Sequence, residues 1–247
     1  MSGYTFDYPP YVPVAERKKA AARLVAKLKK KGQKINPIVI EGRAIAKTFW
    51  GRSWCGNLNS YSDYENRMPR GRQYARNGSV IDLNVNAGEI TALVSGSEIY
   101  KVQITISSVT KEKWKKIVKQ CSGKIGSLIE LLQGKFSKEV MEIITQPKTG
   151  LFPEKNEIKF DCSCFDYADM CKHVSAVLYG VGARLDGKPE DLFLLRQADH
   201  TELIESAGYI SKLTQGSGTG ELEGNISELF GVDIVESPKK KKKSKPK

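Results

Sequence analysis

Apolar and polar positions along the chain change period several times, and each change marks a new element. Over residues 13–31, Val14, Ala21, Leu24, Val25 and Leu28 recur at helical spacing while Lys19, Arg23, Lys27 and Lys30 step along the opposite side, so a helix is predicted with Gly32 as its stop. From Val80 the period becomes two. Ile81, Leu83 and Val85 alternate with Asp82 and Asn84, the turn Asn86-Ala87-Gly88 follows, and then come EITALVSG and YKVQITISS. This pattern predicts a three-stranded antiparallel meander with one buried face.

Helical spacing returns at 110–121, 125–133 and 137–145, with Gly123, Gly134 and Pro147 as breaks, and again near 189–197 and 200–207. The glycine-rich run QGSGTGELEG reads as a linker. Residues 225–236 carry enough apolar side chains for a short docking segment, and from Ser237 onward disorder is expected. The expected fold class is α+β: an antiparallel sheet plus helices, a small cysteine-bearing module and a disordered basic C-terminal tail. Five regions follow: a basic helix over 1–35, a Trp/Arg-rich α+β domain over 36–150, the cysteine-bearing module over 151–185, an acidic segment over 186–236 and the tail over 237–247.

Composition supports a folded protein, with 40% apolar and 28% charged residues. No run approaches the roughly 18–20 apolar residues of a membrane span, and the first residues lack the apolar core of a signal peptide, so a cytoplasmic location is expected. The net charge of +12 is unevenly distributed. Residues 17–34 hold nine positive charges and no acid, residues 239–247 hold seven, and residues 186–238 carry a net −8 from 3 basic and 11 acidic side chains. Basic ends suit a polyanion, because Lys and Arg near phosphates release condensed counterions. A solubilising tail and a surface helix resting on the body are the competing readings, with an anionic membrane surface as a third for the helix.

Aromatic and basic residues interleave most densely over 49–76. Trp50, Trp54, Tyr61, Tyr64 and Tyr74 alternate there with Arg52, Arg67, Arg70, Arg72 and Arg76. Planar guanidinium groups grip phosphate bidentately and aromatic faces stack on unpaired bases, so Arg67, Arg70, Arg72, Arg76, Tyr64 and Tyr74 are the candidate nucleic-acid contacts. Against this, Trp50 and Trp54 suit a core, and ion pairs to Asp63 and Glu65 would equally occupy the arginines.

Three of the five cysteines lie within ten residues, in the order Cys162-x-Cys164-x6-Cys171-x-His173. Three thiols and one imidazole form a closed tetrahedral set for zinc, with iron or another soft-ligand metal as the alternative. EIKFD before them alternates like a strand, and Cys171 and His173 open a helix with an apolar stripe of Val174, Val177 and Leu178. The helix N-terminus favours the thiolate that a metal needs. Asp161, Asp166 and Asp169 read as loop carboxylates. Cys55 and Cys121 read as small buried hydrophobes. Four candidates leave no open position, so one structural ion is expected rather than a catalytic one.

This order of ligands, strand before and helix after, resembles the SWIM zinc finger, a strand-strand-helix module. The upstream block of Trp50-Gly51-x-x-Trp54, Asp63 to Arg67 and Arg70 to Arg76 is similar to the companion region of bacterial SWIM proteins. The resemblance covers roughly residues 45–182. It implies zinc binding through Cys162, Cys164, Cys171 and His173, a role in binding DNA or protein, and association with a Swi/Snf-type helicase. No enzymatic activity is implied. An adaptor that docks a helicase or recombination partner is the alternative function.

One enzyme motif is nearly met. Gly182 to Pro189 satisfies G-x-x-x-x-G-K but places Pro189 where a phosphate loop needs Ser or Thr, and Asp186 brings negative charge to the loop. It is expected instead to close the helix that carries His173.

Overall fold

A computed structural model describes residues 12–61, 66–122, 124, 137–166, 168 and 170–206. The chain divides into two units, Met1–Ile210 and Ser211–Lys247, and all described residues belong to the first. The expected helix at 125–133, the linker, the docking segment and the basic tail lie outside the described residues. In chain order the elements are α1 (Val14–Lys30), α2 (Phe49–Asn59), α3 (Met68–Arg76), β1 (Val80–Asn86), β2 (Glu89–Ser95) and β3 (Ile99–Ile106). They continue with α4 (Lys111–Cys121), α5 (Lys138–Thr145), β4 (Ile158–Cys162), α6 (Lys172–Leu185), α7 (Glu190–Arg196) and α8 (Thr201–Ser206). The architecture is α+β.

The sheet has four strands in the order β1-β2-β3-β4, every pair antiparallel. Only three were expected as a meander. The fourth, β4, comes from the region assigned to the cysteine-bearing module and covers the edge that β3 would otherwise leave unpaired, with Cys162 opposite Val102. Gly88 closes the β1–β2 turn at φ 71°, a conformation that glycine adopts without steric penalty. A bulge between Val80 and Asp82 breaks the period of two in β1. It buries both Val80 (0% exposed) and Ile81 (5%), which strict alternation would place on opposite faces.

Helix α6 is buried from His173 to Gly182 on all sides, well beyond the single apolar stripe its sequence predicts. Small residues make this possible. A Cβ on Gly180 would come within 3.1 Å of Leu83 in the sheet, one on Gly182 within 2.7 Å of Cys55 in α2, and one on Gly71 of α3 within 2.8 Å of the Ala176 nitrogen. The sheet, α2 and α3 thus close on three sides of one helix. Trp54 fixes the α2 contact by donating its indole N–H to the Leu178 carbonyl at 2.8 Å.

Trp50 and Trp54 are 3% and 1% exposed, which makes them core residues. Asp186, from the near-miss phosphate motif, anchors the two residues that lead into α2. Its carboxylate accepts hydrogen bonds from the backbone N–H of Lys47 (2.6 Å) and Thr48 (3.0 Å) and from the Thr48 hydroxyl (2.6 Å). Arg196, fully buried, donates to the Ser107 carbonyl at 2.7 Å and to Glu157 at 2.6 Å, tying α7 to the ends of β3 and β4.

Candidate metal centre and its basic surroundings

Strand β4 ends at Cys162, the chain turns through Cys164, and Cys171 begins α6 as its N-cap. The Cys171 sulfur accepts from the Val174 N–H at 3.4 Å, so one group both caps the helix and faces the cluster. The donor atoms of Cys162, Cys164, Cys171 and His173 all lie within 4.8 Å of one another. Nδ1 of His173 is 3.9 Å from the sulfurs of both Cys162 and Cys171. Bond lengths for tetrahedral zinc imply edges of about 3.5–3.8 Å, so the 3.9 Å pairs need shorten by only a few tenths of an ångström and the widest by up to about 1 Å to close the set around one ion. The four residues can hold one metal ion. Among the described residues no carboxylate joins this group.

The thiols are unequal. The hydrogen bond with Cys162 holds the Cys171 thiol well below its ordinary range against the opposing effect of burial, and His173 and the Val174 N–H pull the same way. That hydrogen bond, together with burial, pushes Cys162 up, and burial raises Cys164.

His173 is held by aromatic rings. Tyr100 stacks on the imidazole with ring centroids 4.1 Å apart, and Tyr74 meets it edge-on at 5.6 Å. Nε2 is buried, and none of the described protein groups hydrogen-bonds to it. Gly96 lies against it, since a Cβ there would be 3.2 Å from Nε2 and 2.7 Å from the Tyr100 ring. Nothing in the sequence pattern marks Tyr100 or Gly96, because their proximity to His173 depends on how β3 and α6 pack.

The arginines of the aromatic and basic block divide. Arg67 grips Asp166 in the metal loop through two hydrogen bonds of 2.7 and 3.0 Å. Arg72 donates to Asn59 and to the Tyr179 hydroxyl, both at 3.1 Å, and lies over the Tyr179 ring. Both guanidinium groups are thus engaged within the fold. Arg70 and Arg76 are exposed, and no ion pair to either occurs among the described residues. Tyr64, with Asp63 and Glu65, lies outside the described residues.

Tyr74 is half-buried and joins three elements. Its edge meets His173, its hydroxyl accepts from Arg17 of α1 at 3.0 Å, and Arg17 and Lys172 both approach its ring. Helix α1 is therefore tied to the flank of the candidate metal centre through Tyr74. Lys18 of α1 and Arg76 of α3 line one open groove with Ala21, Val25, Ile38 and Ile81. Positive side chains of α1 and α6, Arg17 and Lys172, thus converge on the tyrosine that flanks His173.

The chain is similar to uncharacterized protein Rv2102 of Mycobacterium tuberculosis, with 34% identity over 164 residues. The aligned stretch is 65% of this chain and 59% of that protein, so the chain spans less than two thirds of its relative's length. No protein-family model matches the chain, and no solved structure matches it. Among the described residues no helix is long and apolar enough to cross a membrane.

Proposed function

We propose that this protein is a non-enzymatic, zinc-stabilised DNA-binding protein of the SWIM type that acts beside a Swi/Snf-type helicase. The observation that supports it best is a cluster of four soft donors flanked by Tyr74, on which Arg17 of α1 and Lys172 of α6 converge. Lys172 follows the ligand Cys171 directly, Arg17 reaches Tyr74 beside His173, and Arg70 and Arg76 extend along α3. Three thiolates and a neutral imidazole leave a zinc centre at a formal −1, a weak Lewis acid that suits a structural role. When bound, zinc would fix the loop between β4 and α6, and with it the positions of the surrounding cations.

DNA titrations at several salt concentrations test this reading. Each phosphate contact contributes about 0.9 to the slope of log K against log salt on duplex DNA. Replacing Arg70, Arg76 and Lys172 together with Gln should flatten that slope by up to about 2.7 and leave the bound metal in place. Failure of the wild-type protein to bind DNA at low salt, or an unchanged slope in the triple variant, would overturn it.

The adaptor reading draws support from the groove between α1 and residues 37–40, whose Val39 is 75% exposed beside Ala21, Ala22 and Val25. A stable complex with a Swi/Snf-type helicase that survives nuclease treatment would favour it.

A further inference from the structure

Phe165 is 72% exposed and immediately follows the ligand Cys164. The other large exposed apolar side chains among the described residues are the aliphatic Val14, Val39 and Leu194. Its backbone is anchored on both sides. Before it stands Cys164, a member of the ligand cluster, and after it Asp166, whose carboxylate is clasped by Arg67 and also accepts from the Ala168 N–H at 3.3 Å. A phenylalanine held in water on an anchored loop forgoes the stabilisation that burial would bring, while its conformational freedom is already restricted.

We propose that Phe165 stacks on an unpaired base, so that the ligand of the metal-loop surface is single-stranded rather than duplex nucleic acid. This rests on the nucleic-acid reading above and narrows it. The surroundings have the required charge. Lys172 adjoins Cys171, and the exposed Arg70 stands one helical turn beyond Arg67. The exposed Lys101 lies across from Ser163, with which its backbone exchanges hydrogen bonds of 3.0 Å. Of the acids of this stretch among the described residues, Asp166 is paired with Arg67, and Asp161 stands on β4 opposite Gln103. An exposed aromatic ring on a loop whose neighbouring elements carry cations matches the alternating bases and phosphates of a single strand. In a duplex the bases are already stacked, and opening a step for an inserted ring costs a few kcal/mol.

The test compares oligo(dT) with a duplex of equal length, titrated against the zinc-loaded full chain. Wild type should prefer oligo(dT). Phe165→Ala should weaken that binding about 5- to 150-fold and change duplex binding little, while Phe165→Trp should keep it. Metal content and melting temperature should remain at wild-type levels, since the side chain is exposed. If Phe165→Ala loses metal, Phe165→Leu replaces it, keeping apolar bulk without a π-face and giving the same expected loss. Unchanged oligo(dT) affinity in these variants, or a wild-type preference for duplex, would overturn the stacking role and leave the broader nucleic-acid reading standing. No binding to either ligand would overturn both.

Discussion

The ring of Tyr100 lies on the imidazole of His173, with centroids 4.1 Å apart and planes 21° from parallel. Imidazoles that bind metal are usually oriented by a hydrogen bond from their second nitrogen to a carboxylate or carbonyl. Here an aromatic stack, with Tyr74 at its edge and Gly96 against Nε2, fixes the ring so that Nδ1 faces the thiols. Ring packing takes over the orienting role.

Tyr100 is therefore expected to matter for metal affinity. Tyr100→Ala should lower affinity by about 10- to 100-fold, as loss of an outer partner does elsewhere, and destabilise the fold by about 3–5 kcal/mol. Tyr100→Phe keeps the stack and loses only the hydroxyl contact with Ser97 at 2.7 Å, so it should cost about 1 kcal/mol and retain the metal. Chelator competition and thermal melts read both effects.

Gly96→Ala is expected to act on the same contact from the other side. The added Cβ would lie 2.7 Å from the Tyr100 ring and 3.2 Å from Nε2, forcing one of them to move. A loss of about 1–3 kcal/mol, with weaker metal binding, should appear in the same two measurements.

Removal of a ligand should loosen the whole segment. Cys164→Ser is expected to abolish stoichiometric metal binding and expose residues 157–182 to protease, because metal and local folding are coupled by on the order of 10 kcal/mol in finger peptides. Metal analysis with limited proteolysis checks this, and full protection with one bound ion would exclude Cys164 as a ligand.

Glu157 makes stability depend on acid. Burial opposes its ionisation, but the hydrogen bonds from Arg196 and the Glu154 N–H outweigh this and hold its carboxyl below the ordinary value of 4.5. A depressed folded value means that the stabilisation is complete above the unfolded value and is lost as pH falls through the folded one. Denaturant midpoints should thus decline below about pH 4.5. In Glu157→Gln that part of the decline should disappear. Arg196→Met should be destabilising by about 3–5 kcal/mol near neutral pH, because Glu157 then loses its buried partner.

The Arg67–Asp166 pair is partly exposed, at 33% and 23%, and bidentate. A double-mutant cycle with Arg67→Ala and Asp166→Ala should return a coupling of about 1 kcal/mol in stability. Zero coupling would show that the metal loop does not depend on α3 for its position.

By itself the sequence determined what local periodicity and spacing can carry. The basic helix α1, the hairpin β1–β2, the strands β3 and β4, and the helices from α4 to α8 all lie where their patterns place them, and Cys162, Cys164, Cys171 and His173 were legible as one ligand set because they fall within 12 consecutive positions. The short helices α2 and α3 were not separately legible, since apolar, basic and glycine residues there follow the demands of packing against α6. Only the tertiary structure joined β4 to β3, buried Val80 through a bulge, gave Arg67 and Arg72 intramolecular partners and laid Tyr100 on His173. Each of these pairs residues far apart in the chain. Which side chains meet across such distances depends on strand register and on how closely helices approach, and an added Cβ at Gly71 or Gly182 would push the helices apart.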